Sequence, residues 1–339
     1  MNRSVARSPG HPVAHPLRGY PPRLSVTLAE TLGWRGVSLR APEDWTLTKV
    51  SKEGESGYLR ADSLEGLFVH IKWSEKKGLV SIPDSFENYT RDLQKSARKH
   101  RQHIEFKTKP RALAGVRRSE DAPLTYSWNS DQKALGLIYH CGECHRLVIA
   151  EVVGPPDADF SAAAPILSSI REHGEGGWNT WGVHGLKAQV PQEFQLERHT
   201  LVTGHVMLRF RSRSRLLILQ QWGLANVALK GTDVAEWYEY QERSRLGRYA
   251  YRRERTPFRG HEAFWMAGRD KIVPGIAKAI QHLAAFSKPS LGFHACVWRC
   301  EETNRIHAVS AEHPRGDDLF DQVLNRMPCH AELETSNGR

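Results

Sequence analysis

The strongest chemical signal in the 339-residue chain is the run Cys141-Gly142-Glu143-Cys144-His145. Two thiols at CxxC spacing followed by histidine match the pattern of c-type haem attachment, in which the thiols form thioethers and the imidazole ligates iron. The same spacing lets two thiolates share a tetrahedral zinc ion, with His140 and His145 flanking them. Haem c is disfavoured, because attachment takes place outside the cytoplasm and the run falls at an expected hairpin turn. Zinc needs further donors, and Cys296 and Cys300 are the candidates for the other half of a site. Cysteine is also a small apolar residue that packs well in cores. The expectation is therefore buried thiols and no bound metal, with Cys141, Cys144, His145 and Cys300 as the alternative zinc set. No GxSxG, Walker or HExxH pattern occurs, and His103, His184, His199, His205, His261 and His307 lack partners at metal or triad spacing. A non-catalytic protein is expected.

The elements that must position these residues come twice. Pro42-Glu43-Asp44-Trp45-Thr46-Leu47 matches Pro191-Gln192-Glu193-Phe194-Gln195-Leu196 at an offset of 149 (191 − 42 = 149), which carries Trp73 onto Trp222, Asp84 onto Asp233 and Tyr89 onto Tyr238 without a gap. Further on, Arg146 and Arg305 align at 159 (305 − 146 = 159), so that Cys141 meets Cys300 and Tyr139 meets Trp298. Self-similarity over so long a period is the signature of a duplicated unit. Each copy reads as a strand, a proline turn and a hairpin, because proline cannot donate to a ladder and marks a strand's end or edge. A helix then starts near Asp84 or Asp233, acids that suit the positive end of a helix dipole. Phe86, Tyr89, Leu93 and Ala97 fall at helical spacing, as do Val234, Trp237, Tyr238 and Leu246. A second hairpin and a closing amphipathic helix, over 160–171 or 318–327, complete each copy.

This order predicts an α+β protein of two tandem repeats, each an antiparallel sheet flanked by helices in an α/β/α sandwich. The expected organisation is a disordered basic tail over 1–30, a first repeat over 31–173, a linker over 174–180, and a second repeat over 181–330. A helical insertion is expected near 271–287 and a disordered tail over 331–339. The unit resembles the Mog1/PsbP-like sandwich, whose members also begin with a strand, a proline turn and an aromatic residue, here Val37-Ser38-Leu39-Arg40-Ala41-Pro42-Glu43-Asp44-Trp45. That resemblance implies a non-enzymatic binding or assembly factor, with a partner at the inter-domain groove or on a basic face.

Charge points to the partner's chemistry. The net charge of +10 is concentrated in residues 91–118 and 243–259, so Lys95, Arg98, Lys99, Arg101, Arg243, Arg245 and Arg248 are the candidate partner-binding residues. An anionic partner, nucleic acid included, is the expectation. The apolar runs are strand-sized and too short to span a bilayer. Residues 1–30 have no continuous apolar core of a signal peptide, so a cytoplasmic setting with reduced thiols is expected.

Overall fold

The structure is a computed structural model that describes residues 27–51, 56–116, 123–271 and 291–330. Most of the expected tail over 1–30, nearly all of the expected insertion at 271–287, and the tail over 331–339 lie outside the described residues. In chain order the first half runs β1 (Glu30–Trp34), β2 (Val37–Ala41), β3 (Thr46–Val50), β4 (Ser56–Asp62), β5 (Phe68–Glu75), α1 (Ile82–Lys99), β6 (Glu105–Thr108), β7 (Leu124–Asn129), β8 (Lys133–His140), β9 (Arg146–Gly154) and α2 (Ala163–Ser169). The second half begins with β10 (Trp178–Val183), β11 (Leu186–Pro191), β12 (Gln195–Val202), β13 (His205–Ser212), β14 (Arg215–Gly223), α3 (Ala225–Ala228), α4 (Val234–Gln241) and α5 (Arg243–Leu246). It ends with β15 (Tyr249–Arg255), β16 (Ala263–Asp270), β17 (Leu291–Cys300), β18 (Arg305–Pro314) and α6 (Leu319–Leu324). Antiparallel sheet dominates and helices are few. The helix near the middle of the first half starts before Asp84: Ser81 is its N-cap and accepts from the Asp84 N–H, whereas Asp233 itself caps α4 by accepting from the Glu236 N–H. Among the described residues no helix is long and apolar enough to cross a membrane.

Two seven-stranded sheets form, in the orders β3-β4-β5-β9-β8-β7-β6 and β12-β13-β14-β18-β17-β16-β15. A four-stranded sheet, β11-β10-β1-β2, joins the halves. Its two hairpins turn on Arg35-Gly36 (φ 52° and 84°) and His184-Gly185 (φ 49° and 84°). Two successive residues with positive φ make the turn whose twist matches its flanking strands. The hairpins meet where Gly33 lies opposite Gly182. A Cβ on Gly33 would stand 2.6 Å from the Thr180 carbonyl oxygen, so only glycine lets these backbones pair. Gly33→Ala is expected to cost about 1–3 kcal/mol by overpacking, read as a lower urea midpoint; an unchanged midpoint would show that this seam does not hold the halves together. Because β10 already begins at Trp178, the expected 174–180 linker shrinks to its first four residues.

The main core joins the inner faces of both large sheets to the small one. Trp34 meets Trp181 edge-on at 5.3 Å, and Trp181 meets Phe210 at 4.8 Å. Smaller clusters lie on the outer faces, where Phe86, Tyr89 and Leu93 of α1 pack near Tyr126 and Ile138, and Tyr238 of α4 packs near Phe293 and Val297. Register tests the sequence offsets. β3 and β12 both slip register, between Leu47 and Lys49 and between Leu196 and Arg198, each at an offset of 149. The offset then falls to 148, since Leu59 pairs with Ile71 but Leu208 pairs with Leu219. The second hairpin turn is one residue shorter, and a one-residue slip reverses every side chain across the sheet. Trp73 therefore packs in the main core and Trp222 in the outer cluster beside α4. Their alignment at equal positions, expected from the sequence, is corrected. The later offset of 159 holds: Tyr139 pairs with Val148 and Trp298 with His307, each just before a turn.

Candidate metal centres

The hairpin turn between β17 and β18 ends β17 at Cys300, paired with Arg305. β16 lies beside β17 with Ala263 opposite Trp298, and extending that register sets His261 opposite Cys300 (263 + 298 = 261 + 300). The segment after α6 brings Cys329 and His330 to the same place. The donor atoms of His261, Cys300, Cys329 and His330 all lie within 4.8 Å of one another. Cys300 Sγ is 3.4 Å from His330 Nδ1, and Cys329 Sγ is 3.3 Å from both His330 Nδ1 and His261 Nε2. A tetrahedral zinc ion with ordinary Zn–S and Zn–N bonds separates its sulfur and nitrogen ligands by about 3.5 Å, so the spacing fits.

The surroundings suit such an ion. Cys300 is fully buried and Cys329 is 6% exposed. The two imidazoles cross at 84° with centroids 5.2 Å apart, which keeps both rings from stacking and aims one nitrogen of each at the sulfurs. The other ring nitrogen of His330, Nε2, lies 3.6 Å from a Glu302 carboxylate oxygen, the outer partner that orients a metal-bound imidazole. Burial pushes the Cys329 thiol up to about 11. Burial also acts on Cys300, but the Thr303 hydroxyl and backbone N–H and the His330 ring outweigh it and bring that thiol below its usual range. Behind the cluster His307 is fully buried and stacks on Trp298 at 5.3 Å, and desolvation lowers its pKa to about 3, so it stays neutral.

The first half carries a related cluster. Cys141, one residue past β8, donates its backbone N–H across the turn to the Arg146 carbonyl, and its sulfur faces the backbone N–H groups of Glu143 and Cys144. Cys141, Cys144 and His173 offer donors within 4.8 Å of one another. His173 Nδ1 is 3.1 Å from the Gly174 carbonyl oxygen, an acceptor that holds the ring through Nδ1 whenever that nitrogen carries a proton. That nitrogen stands 3.4 Å from Glu143 and 4.0 Å from Glu172. Burial is the main reason the Cys141 thiol rises to about 12.

No family model matches this chain, and no curated protein matches it closely enough to count as a relative. Its chemistry is thus read from geometry alone. Of the zinc set that the sequence offers as an alternative to no metal, Cys141 and Cys144 come together, but Cys300 belongs to the other cluster. His145 turns away at a φ of 55° and stacks against His140, so it joins neither set. Its place as the third ligand falls to His173. His261, Cys329 and His330 were also missed, although the adjacent Cys329-His330 pair was visible in the sequence.

The candidate basic residues divide. Lys95, Arg98, Lys99 and Arg101 are exposed at the C-terminal end of α1, and Arg91, Gln94, Lys95, Arg98 and Lys99 line a shallow depression of about 310 Å³. Arg243 and Arg248 are exposed and lie over the rings of Tyr240 and Tyr249. Arg245 is not a surface residue: it is bonded to Glu242 at 2.8 Å and donates to the Tyr238 hydroxyl, so it is corrected to a structural role. The most buried charge is Glu151 on β9, which accepts from the Tyr89 and Tyr126 hydroxyls and the Trp128 indole and pairs with His70. With every donor directed at it, this carboxylate serves the fold.

Proposed function

We propose that this chain is a zinc-binding protein of two related α/β sandwich units, with a non-catalytic binding or assembly role. The carrying observation is the convergence of His261, Cys300, Cys329 and His330 from three separate segments at zinc-ligand spacing. Four protein donors leave no position for substrate, which makes this metal structural. It ties the segment after α6 to two hairpin turns of the second sheet.

Shared descent of the units is supported by the matching strand orders, the matching register slips and the paired clusters. Past the last helix an offset of 157 carries His173 onto His330 and Glu172 onto Cys329 (173 + 157 = 330; 172 + 157 = 329). The backbone agrees, since Ser38 bonds to Arg171 in one half and Gln189 to Arg326 in the other, pairs that fall on one antiparallel register once 149 and 157 are applied (38 + 171 + 149 + 157 = 189 + 326). Helix α1 packed in the outer cluster of the first sheet and α2 in the main core support a layered reading of that unit.

Elemental analysis of the full chain tests the reading. Zinc is expected to copurify, and Cys329→Ser or His330→Ala should each remove one equivalent. Protein that takes up no zinc from a metal-buffered solution ends the proposal.

A second reading concerns the end of α1, favoured by the depression that gathers its cations. An anionic partner docking there would bind more weakly as salt rises, by roughly one power of salt concentration per phosphate neutralised if it is nucleic acid. Reversing Arg98 and Lys99 to Glu is expected to abolish that salt-dependent binding to a mixed single-stranded oligonucleotide while leaving the circular dichroism spectrum unchanged. Binding that survives the reversal moves the partner elsewhere.

A further inference from the structure

The two clusters occupy the same hairpin and the same closing segment of their sheets, yet their donor sets differ in a way that changes the chemistry. The second cluster has a thiolate at Cys329, whereas the first has Glu172 at the matching place. Glu172 is 8% exposed, and its Oε2 accepts from the Tyr139 hydroxyl at 2.8 Å, just as Trp298, at Tyr139's place, stands beside Cys329. The first cluster gains Cys144 from its own turn, where the second has Thr303 at the offset of 159 (144 + 159 = 303).

From these substitutions we infer that Cys141, Cys144 and His173 hold a second zinc ion whose fourth position is exchangeable, filled at rest by a carboxylate oxygen of Glu172 and open to a small anionic ligand. The inference rests on the proposed zinc-binding role and extends it to a site with a different task. Among the described residues this cluster offers three sulfur and nitrogen donors, the number found in zinc sites that keep one position for water or substrate. A carboxylate tethered by a tyrosine hydroxyl is a harder and more easily displaced donor than a thiolate. The setting is also more open. The His173 side chain is 28% exposed and that of Glu143 is 71% exposed, and Cys144 is only partly covered, whereas Cys300 is fully buried. The Gly174 carbonyl oxygen, 3.1 Å from His173 Nδ1, can hold the ring through that nitrogen and leave Nε2 for the ion. An anion arriving from solvent would take the place of the Glu172 oxygen, while Glu172 would keep its Oε2 on the Tyr139 hydroxyl, and the ion's charge would draw the anion in without any change in oxidation state.

Cobalt(II), which adopts the same coordination and has visible d–d bands, is the probe. The full-length apo chain is expected to bind two equivalents, one removed within seconds by a colorimetric chelator and one held far longer. Azide should shift the visible bands of the fast-released ion alone. Cys144→Ser should abolish both the fast equivalent and the azide response and leave the slow one, and His173→Ala should do the same should the serine variant fold poorly. Glu172→Gln should retain two equivalents and speed release of the fast one by about tenfold or more. A single equivalent, lost on Cys329→Ser, overturns this inference and leaves the structural zinc standing. Two equivalents with no azide response in any variant overturn the exchangeable position, and no uptake at all removes both readings.

Discussion

Stripping zinc from the second centre is expected to lower the thermal midpoint of the chain by roughly 8–16 °C. A metal that binds only the folded state stabilises it by about 4 kcal/mol when present at a thousand times its dissociation constant. In a unit of 150–250 residues each kcal/mol moves the midpoint by about 2–4 °C. The local reason is that the proposed ion would tether the segment after α6, through Cys329 and His330, to turns on two other strands whose donors lie within 4.8 Å. Without the ion, the two thiols and two imidazoles are left with only the weak sulfur–imidazole hydrogen bonds among themselves. Calorimetry of the full chain with and without a strong chelator measures the shift, and Cys300→Ser should reproduce it without the chelator. Cys296 is the control: it is fully buried one strand-turn away but lies outside the cluster, so Cys296→Ala should cost only its own packing and keep the response to chelator. Equal midpoints with and without chelator would refute a structural metal.

How much of this was readable beforehand follows the distance over which information had to be carried. Local signals were sound. Pro42 and Pro191 mark turns, the strands around Cys141 and Cys300 form hairpins, and the α1 stripe of Phe86, Tyr89 and Leu93 faces a core. The offset of 149 failed inside a hairpin, because a turn shortened by one residue leaves composition almost unchanged while moving Trp222 to the other face. The candidate metal ligands escaped the sequence reading for a different reason. His261 reaches Cys300 only because β16 pairs with β17, and His330 arrives only after α6 has packed on the sheet. Spacing along the chain holds neither fact. One signal was available: continuing the sequence offset past the last helix aligns His173 with His330, and a histidine that recurs there next to aligned cysteines is hard to ascribe to packing. The CxxCH run drew attention instead to His145, whose left-handed backbone conformation is shared by Asn304 in the other turn and belongs to the turn rather than to a ligand.

Replacing Glu151 by Ala is expected to cost about 3–5 kcal/mol, the range for removing one partner of a buried charge pair. Glu151 is 1% exposed and lies at the middle of the first sheet, where Tyr89 donates at 2.6 Å, Tyr126 at 2.8 Å, Trp128 at 3.0 Å and His70 stands 2.8 Å away. Alanine would leave two hydroxyls, an indole and an imidazole facing an apolar void, and Tyr89 would no longer fasten α1 to the sheet. The same node makes stability depend on acid. Desolvation alone would raise the Glu151 pKa, but the bond and charge of His70 with the two tyrosine hydroxyls more than offset it and hold the carboxyl below its usual value. A carboxyl whose pKa is depressed on folding contributes fully above its unfolded value of about 4.3 and loses that contribution as pH falls through the lower folded value. The urea midpoint of the natural protein should therefore fall more steeply below about pH 4 than that of Glu151→Ala. At pH 7 the variant should already be strongly destabilised, so the two curves converge toward acid. Parallel curves from pH 7 to pH 3 would mean that the Glu151 carboxyl titrates alike in the folded and unfolded chain, and curves that separate toward acid would mean that it is protonated in the fold; either result would show that the tyrosines, not the charge, organise the site.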